Sequence, residues 1–246
     1  MSVPEPALPP GEFLRWDSEF FGFRIGRLRG RRLAAAGLRA SLDWAAAERL
    51  RCVYFFADAE DPETLAQAHD GGFKFVDLRV DLALAPVPPP AGGTAGIRAA
   101  TAADLPALEA LARTAHHDTR FFKDTGFPAA RAAELYAEWI RRDFRLHHIL
   151  VAPGPDGRPA GYVTCVLDRT AGLGRIGLIA VAADARRQGT GRRLTTGAVG
   201  WLAQAGCREV RVATQASNVP AQRLYQALGF RTAETAATFH RWFPAS

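Results

Sequence analysis

The sequence predicts an α/β chain, a mixed sheet with helices on both faces, and three observations predict it. Beyond a Pro- and Gly-rich stretch at Ala85–Gly96, short apolar strand patterns alternate with helical stripes. One strand, ending at Val181, runs straight into the Gly-spaced, Arg-rich turn Arg186-Arg187-Gln188-Gly189-Thr190-Gly191-Arg192, which opens a helix. A strand-helix-strand pattern also occurs twice: subtracting Gly72 from Gly229, or Val53 from Val210, gives the same offset of 157 without gaps.

These signals divide the chain into a partial domain at 1–85, a linker at 86–96 and a complete domain at 97–246. The partial domain holds Val53-Tyr-Phe-Phe-Ala, a helical stretch through Leu65, and a strand after Gly72. In the complete domain the patterning gives a strand at 96–100, helix 102–115, a loop and helix 128–143. Strands 148–152, 160–168 and 174–182 follow, joined by hairpins at Gly154-Pro-Asp-Gly157 and Gly172-Leu-Gly174. Helix 189–205, strand 208–214, helix 218–228 and strands near 230–234 and 237–243 complete it. Gly172, Gly174 and Gly177 match a dinucleotide-binding spacing, but a strand follows where that motif needs a helix, so the stretch reads as a hairpin.

The turn at 186–192 carries the clearest chemistry. Amides that open a helix lack intrahelical acceptors, and the positive end of the helix dipole lies with them, which makes an anion site. Gly189 and Gly191 allow close backbone approach, and Arg186, Arg187 and Arg192 add charge-assisted contacts suited to a diphosphate. A nucleotide P-loop is excluded, because no Gly-Lys-Ser or Gly-Lys-Thr follows. The plainer alternative is a solvated surface turn. Further on, Asn218 can cap a helix that stops at Gly229, with Ala221, Leu224, Tyr225 and Leu228 on one stripe. By itself, Tyr225 reads as a core aromatic.

Together these stretches resemble the GNAT acetyltransferase superfamily. Its acyl-CoA signature is met by Arg186, Gly189 and Gly191 directly after a strand, and a second one by Asn218, Ala221, Leu224-Tyr225 and Gly229-Phe230. The resemblance implies that acetyl-CoA lays its pyrophosphate on the turn, with Arg187, Gln188, Thr190 and Arg192 among the contacts. The pantetheine would pair with the edge formed by Ile179, Ala180 and Val181, where splaying from a neighbouring strand leaves backbone donors to polarise the thioester carbonyl. Tyr225 then becomes the acid that protonates the departing thiolate, after direct attack by an amine. Many relatives carry a Glu on the strand before the turn. Here Arg175-Ile-Gly-Leu-Ile-Ala-Val181 has no carboxylate, which leaves a water chain or a carboxylate elsewhere, such as Asp168.

Three softer stretches narrow the resemblance to dTDP-fucosamine acetyltransferase-like nucleotide-amino-sugar acetyltransferases: Leu14–Gly22, His117–Asp124 with Leu135–Trp139, and Thr238–Trp242. They place Asp118, Arg120, Phe121 and His240 at the acceptor. Arg120 would meet the acceptor diphosphate or water, Phe121 would stack a pyrimidine or pack the core, and His240 would bond the acceptor or serve as a strand histidine. Thr119 stands where relatives often have Ser and Phe239 where they often have Tyr, so the acceptor sugar is left open. An N-acetyltransferase of a peptide terminus or small amine, and a CoA-binding regulator without catalysis, are the alternatives.

Composition suits an enzyme. With 246 residues, 48% of them hydrophobic, the chain can bury a substantial core. Met1–Gly11 is Pro-rich without an apolar signal core and no apolar run reaches membrane-spanning length, so the cytoplasm is expected. Cys52, Cys165 and Cys207 are scattered and odd in number, and the pairs His116-His117 and His147-His148 point their side chains apart, so no metal is expected. The formal charge of +6 would suit nucleic acid, but the arginines are spread along the chain without a binding module; anionic small molecules are the expected partners, and a homodimer is left open.

In the amino-terminal copy of the repeat, Asp61 stands for Asn218 and Ala68 for Tyr225, and no Arg-Gly turn is expected before it. That domain reads as structural, extending the sheet or shaping the acceptor pocket. Chance likeness of two short units is the alternative.

Overall fold

The computed structural model describes residues 10–88 and 96–244, so most of the expected linker lies outside the described residues. In chain order the elements are β1 (Gly11–Phe13), α1 (Arg15–Phe21), β2 (Ile25–Leu28), α2 (Ala35–Ala47), β3 (Cys52–Asp58), α3 (Pro62–Asp70) and β4 (Lys74–Leu84). Then come β5 (Arg98–Ala99), α4 (Leu105–Ala115), α5 (Arg120–Lys123), α6 (Ala129–Leu146), β6 (His148–Pro153), β7 (Pro159–Asp168) and β8 (Leu173–Val181). The last are α7 (Thr190–Gln204), β9 (Glu209–Gln215), α8 (Val219–Gln226) and β10 (Arg231–Trp242). The two strands expected after residue 230 are one: Arg231–Trp242 contains no Gly, Pro, Asn or Asp to break it.

The chain folds as two compact units, one made of residues up to Leu78 together with those from Thr235 onward, the other of Arg79–Glu234. This division differs from the linear one at residue 85, because β4 and β10 run on through it. Arg79–Leu84 of β4 pairs antiparallel with β9, while Ala236–Trp242 of β10 pairs antiparallel with β3. The offset of 157 carries the bounds of β3 onto those of β9, and carries the pair Ala236↔Asp58 onto Gln215↔Arg79. The repeat is thus expressed in hydrogen-bond register, with each copy's last strand laid beside the other copy's middle strand.

In the first unit the strand order is β1-β2-β3-β10, with β2 and β3 parallel. Leu28, Val53, Phe55, Ala68, Phe73 and Phe239 form its core. At the offset of 157 Gly189 and Gly191 fall on Arg32 and Ala34, so the Gly-spaced turn is not repeated; Arg29-Gly30-Arg31-Arg32 joins β2 to α2, with φ +71° at Gly30. Its groups are engaged locally, since the Leu33 amide donates to Thr64 Oγ1 at 2.8 Å, Arg32 lies 3.5 Å from Asp58, and Arg31 donates to the Thr235 carbonyl.

In the second unit the order is β4-β9-β8-β7-β6-β5, antiparallel throughout except for the β8–β9 pair. Helices cover both faces, and β7 shows why. A Cβ on Gly161 would lie 3.0 Å from Leu194 of α7, whereas the next residue, Tyr162, points to the other face and meets His116 at the end of α4. Leu194, Ala198 and Leu202 recur at i, i+4 along α7 and bury against Val163, Ile176, Val210 and Phe230. Each such Leu contributes about 2 kcal/mol of apolar burial, which holds α7, and hence its first turn, in place.

Candidate active site

Two irregularities in β8 build the site. The parallel ladder with β9 runs from Leu173↔Glu209 to Ile176↔Val212 and stops there, although β8 continues to Val181 and β9 to Gln215. The strands therefore part after Ile176, and Gly177–Val181 has no ladder partner on the β9 side. On the β7 side the register slips: Val163 to Cys165 spans two steps while Ile179 to Ile176 spans three, a bulge with its extra residue on β8. The Leu178 amide at the bulge is satisfied by Thr164 Oγ1 at 2.8 Å.

From the far end of β8 the chain enters the Arg-Gly turn. Arg187 and Gly189 have left-handed backbones, φ 59° and 76°, and Gly189 is the residue from which α7 starts. No side chain caps this helix. The first intrahelical bond at this end is from the Arg193 amide to the Gly189 carbonyl at 3.0 Å, so the amides of Thr190, Gly191 and Arg192 precede any intrahelical acceptor. Arg186, Arg187, Gln188, Gly189 and Arg192 are exposed, whereas Thr190 is buried. Arg186 folds back to donate to the Val181 carbonyl at 3.1 Å, tying the turn to the strand end. A Cβ on Gly191 would stand 3.4 Å from Leu224 of α8 and 3.9 Å from Val181, which brings turn, strand end and α8 to one place.

α8 begins at Asn218, whose Oδ1 accepts from the Ala221 amide at 3.3 Å. Tyr225 is 2% exposed and shares a packed cluster with Ile176 and Val212, the last pair before the strands part, and with the half-buried Ile179, Val181, Ala221 and Leu224. Burial alone pushes its phenol up to about 12. Ala180 is buried beside Tyr162, its ladder partner.

The acceptor candidates separate. Asp118 is exposed and lies 3.5 Å from Lys123 Nζ, and Ser217, the residue before the α8 cap, donates to it at 3.4 Å and accepts from Lys123 at 3.0 Å. These contacts draw the 118–123 segment to the start of α8. Arg120 lies 4.4 Å over the ring of Phe121. Phe121 is 2% exposed and packs edge-on to Phe127 and Trp139. His240 belongs to the other compact unit, where it is fully buried 4.8 Å from Tyr54. Asp168 sits in the β7–β8 hairpin, accepting from Thr170 and Ala171 and pairing across to Leu173, the end of β8 remote from the turn.

Sequence reasoning passed over a polar group on the α4–α6 face. His116 stacks on Tyr136 at 4.6 Å and shares a 2.9 Å hydrogen bond with Tyr162, while the Tyr136 hydroxyl donates to Thr119 at 2.7 Å. Desolvation, with a smaller push from His117, lowers the His116 imidazole to about 4; burial raises Tyr136 to about 12 and Tyr162 further. Asp143, 4% exposed, lies on the same face of α6 as Ala132, Tyr136 and Ile140. A carboxylate on that apolar stripe was the readable signal.

The His116 shift fixes a pH dependence. The unfolded imidazole takes a proton below about 6.5 and the folded one does not, so stability is full above that value and is lost as pH falls towards 4, by at most about 3 kcal/mol. Thermal melting between pH 6.5 and 5 should show a steeper decline for the native chain than for His116→Gln. Equal slopes would remove His116 as the cause.

A splayed parallel pair leads into an uncapped Arg-Gly helix start, with a phenol packed beside the split, and these features together form the candidate site. Residues 109–230 match the Acetyltransferase (GNAT) family, and the chain belongs to that family and is an acetyltransferase. A dTDP-fucosamine acetyltransferase of Escherichia coli O6:H1 is 30% identical over 233 residues, 94% of this chain and 97% of that relative. Among solved structures, a GCN5-related N-acetyltransferase from Sphaerobacter thermophilus superposes with a TM-score of 0.65 at 19% identity, over 94% of this chain and 76% of its own. A tandem GNAT protein from the clavulanic acid biosynthesis pathway gives 0.58 at 17% identity, over 90% and 76%. At these identities the likeness speaks to the fold. Among the described residues, no group of three or more His, Cys, Asp or Glu is placed to hold a metal, and no helix is long and apolar enough to cross a membrane.

Proposed function

We propose that the chain transfers an acetyl group from acetyl-CoA to the exocyclic amine of a nucleotide-linked amino-deoxysugar, by direct attack without an acyl-enzyme. The parting of β8 from β9 after Ile176↔Val212 carries the donor half of this reading. An extended pantetheine can add its amides to the free side of Ile179, Ala180 and Val181 as a strand adds to an edge, and the diphosphate then reaches the amides of residues 189–192. The exposed arginines 186, 187 and 192 supply charge there, and the absence of a side chain at Gly189 and Gly191 leaves the backbone approachable. A backbone amide of the splayed segment polarises the thioester carbonyl as the amine nitrogen attacks.

Tyr225 donates a hydrogen bond to the sulfur as the C–S bond breaks and passes its proton late. A phenol near 12 is a weaker acid than an ordinary thiol, so the proton moves only once the departing sulfur carries most of the negative charge. For the acceptor, the full-length likeness to a sugar-nucleotide enzyme supports a dTDP-amino sugar. Asp118 and Arg120, held beside the start of α8 by the Lys123–Ser217 contact, are the residues assigned to it.

The test is thiol release from acetyl-CoA with purified protein and a panel of dTDP-amino sugars, peptides and polyamines. Release with a dTDP-amino sugar is expected. Release with peptides alone would overturn the sugar assignment and leave the donor half standing.

A further inference from the structure

Acetyl transfer to an amine needs a place for the amine's proton, and the splayed stretch Gly177–Val181 has no titratable side chain to take it. The structure puts a carboxylate there from another element. Gly177 is the first residue of β8 beyond the last pair with β9, so it stands where the two strands begin to part. It is exposed, and a Cβ built on it would meet Thr164 Oγ1 at 2.5 Å first and then Asp143 Oδ2 at 3.8 Å. The glycine makes room for the Thr164 hydroxyl, and α6 brings the Asp143 carboxylate in behind it, to the same point of the parting strands.

Burying an ionised carboxylate is costly unless a cation or several donors meet it. The cation recorded beside Asp143 is Arg142, its own neighbour on α6, at 3.3 Å from the other oxygen, Oδ1. From β7 the group that feels its charge is the Tyr162 phenol, behind which stand His116 and Tyr136. Oδ2 thus lies towards the point where the strands part.

We propose that Asp143 receives the ammonium of the acceptor beside Gly177 and takes its first proton. This rests on the reading of the chain as an amine acetyltransferase, and holds for whichever amine is the acceptor. The acceptor enters as R–NH3+, one proton passes to the Asp143 carboxylate and on to solvent, and the freed lone pair forms the C–N bond. As the C–S bond breaks, the sulfur takes a proton from Tyr225, and the acylated nitrogen sheds its surplus proton to restore the phenol. The sum is amide, free thiol and one proton released.

The experiment uses the full chain and the amine that turns over best. Asp143→Asn should lower kcat/KM for the acceptor about 100-fold with acetyl-CoA affinity unchanged. Asp143→Ala should regain activity with added formate, which a purely structural role would not produce. Native activity in folded Asp143→Asn, or no response of folded Asp143→Ala to formate, would overturn the proposal. Should both variants fail to fold, binding to the native enzyme decides: the deamino analogue of the acceptor should bind about tenfold more weakly than the amine, and equal binding would overturn it. Failure of the sugar reading is seen separately, as native enzyme that acetylates peptides and no sugar nucleotide.

Discussion

Tyr225→Phe should lower kcat by about 100-fold, the lower end of what a positioned proton donor supplies, while leaving acetyl-CoA affinity within about threefold. The substitution removes one oxygen from a side chain that is 2% exposed and keeps the ring against Phe230, 5.8 Å between centroids, so the packing of α8 is retained. Burial is the cause of the raised phenol, with no hydrogen bond contributing to it. Losing the hydroxyl should therefore cost little stability, and the melting temperature should stay close to that of the native chain. A second reading comes from pH. With a value near 12 the phenol stays protonated across the usual assay range, so Tyr225 should give no alkaline limb below about pH 11. A variant as fast as the native enzyme would take the acid role from Tyr225 and leave it a core aromatic.

Gly189→Val should weaken acetyl-CoA binding about tenfold with little change in kcat at saturating acetyl-CoA. At φ 76° and ψ 0° the residue occupies the left-handed region, where a β-branched side chain costs about 1–3 kcal/mol. The chain can relieve that strain by rotating the turn, and rotation re-aims the amides of Thr190, Gly191 and Arg192, which have no intrahelical acceptor to hold them. Open space surrounds the position: a Cβ there meets nothing within 4 Å, so the cost falls on the turn and not on the core. Calorimetric titration with acetyl-CoA, beside a melting curve, separates the two. Native affinity in the folded variant would count against a diphosphate at this turn.

The legible parts of the molecule were those with local causes. The turn at 186–192 could be read because glycines, arginines and a helix start act within seven residues, and the start of α8 because Asn218 bonds an amide three positions on. Strand 174–182 was read almost to its bounds from apolar patterning. The bulge within it was not, since it exists only as a slip between Val163–Cys165 and Ile176–Ile179, two stretches separated along the chain. For Phe121 and His240 the motifs left a buried and an acceptor-facing reading side by side, and the burial of both rests on tertiary partners, Phe127 and Trp139 for one and Tyr54 for the other.

The repeat marks the boundary between the two kinds of information. By itself the sequence determined that two strand-helix-strand copies lie 157 residues apart, that one keeps a phenol at 225 and the other an alanine at 68, and that the copy with the phenol follows a Gly-spaced, Arg-rich turn. These are matters of residue type and short-range spacing, which neighbouring dihedrals and side-chain periodicity transmit. Only the tertiary structure decided that each copy's last strand pairs with the other's middle strand, that β8 leaves β9 after Ile176, and that Asp143 on a distant helix stands beside the glycine at that parting. Strand partners are chosen by long-range hydrogen bonding and core packing, and one strand's pattern is satisfied equally well by several neighbours until the whole core is assembled.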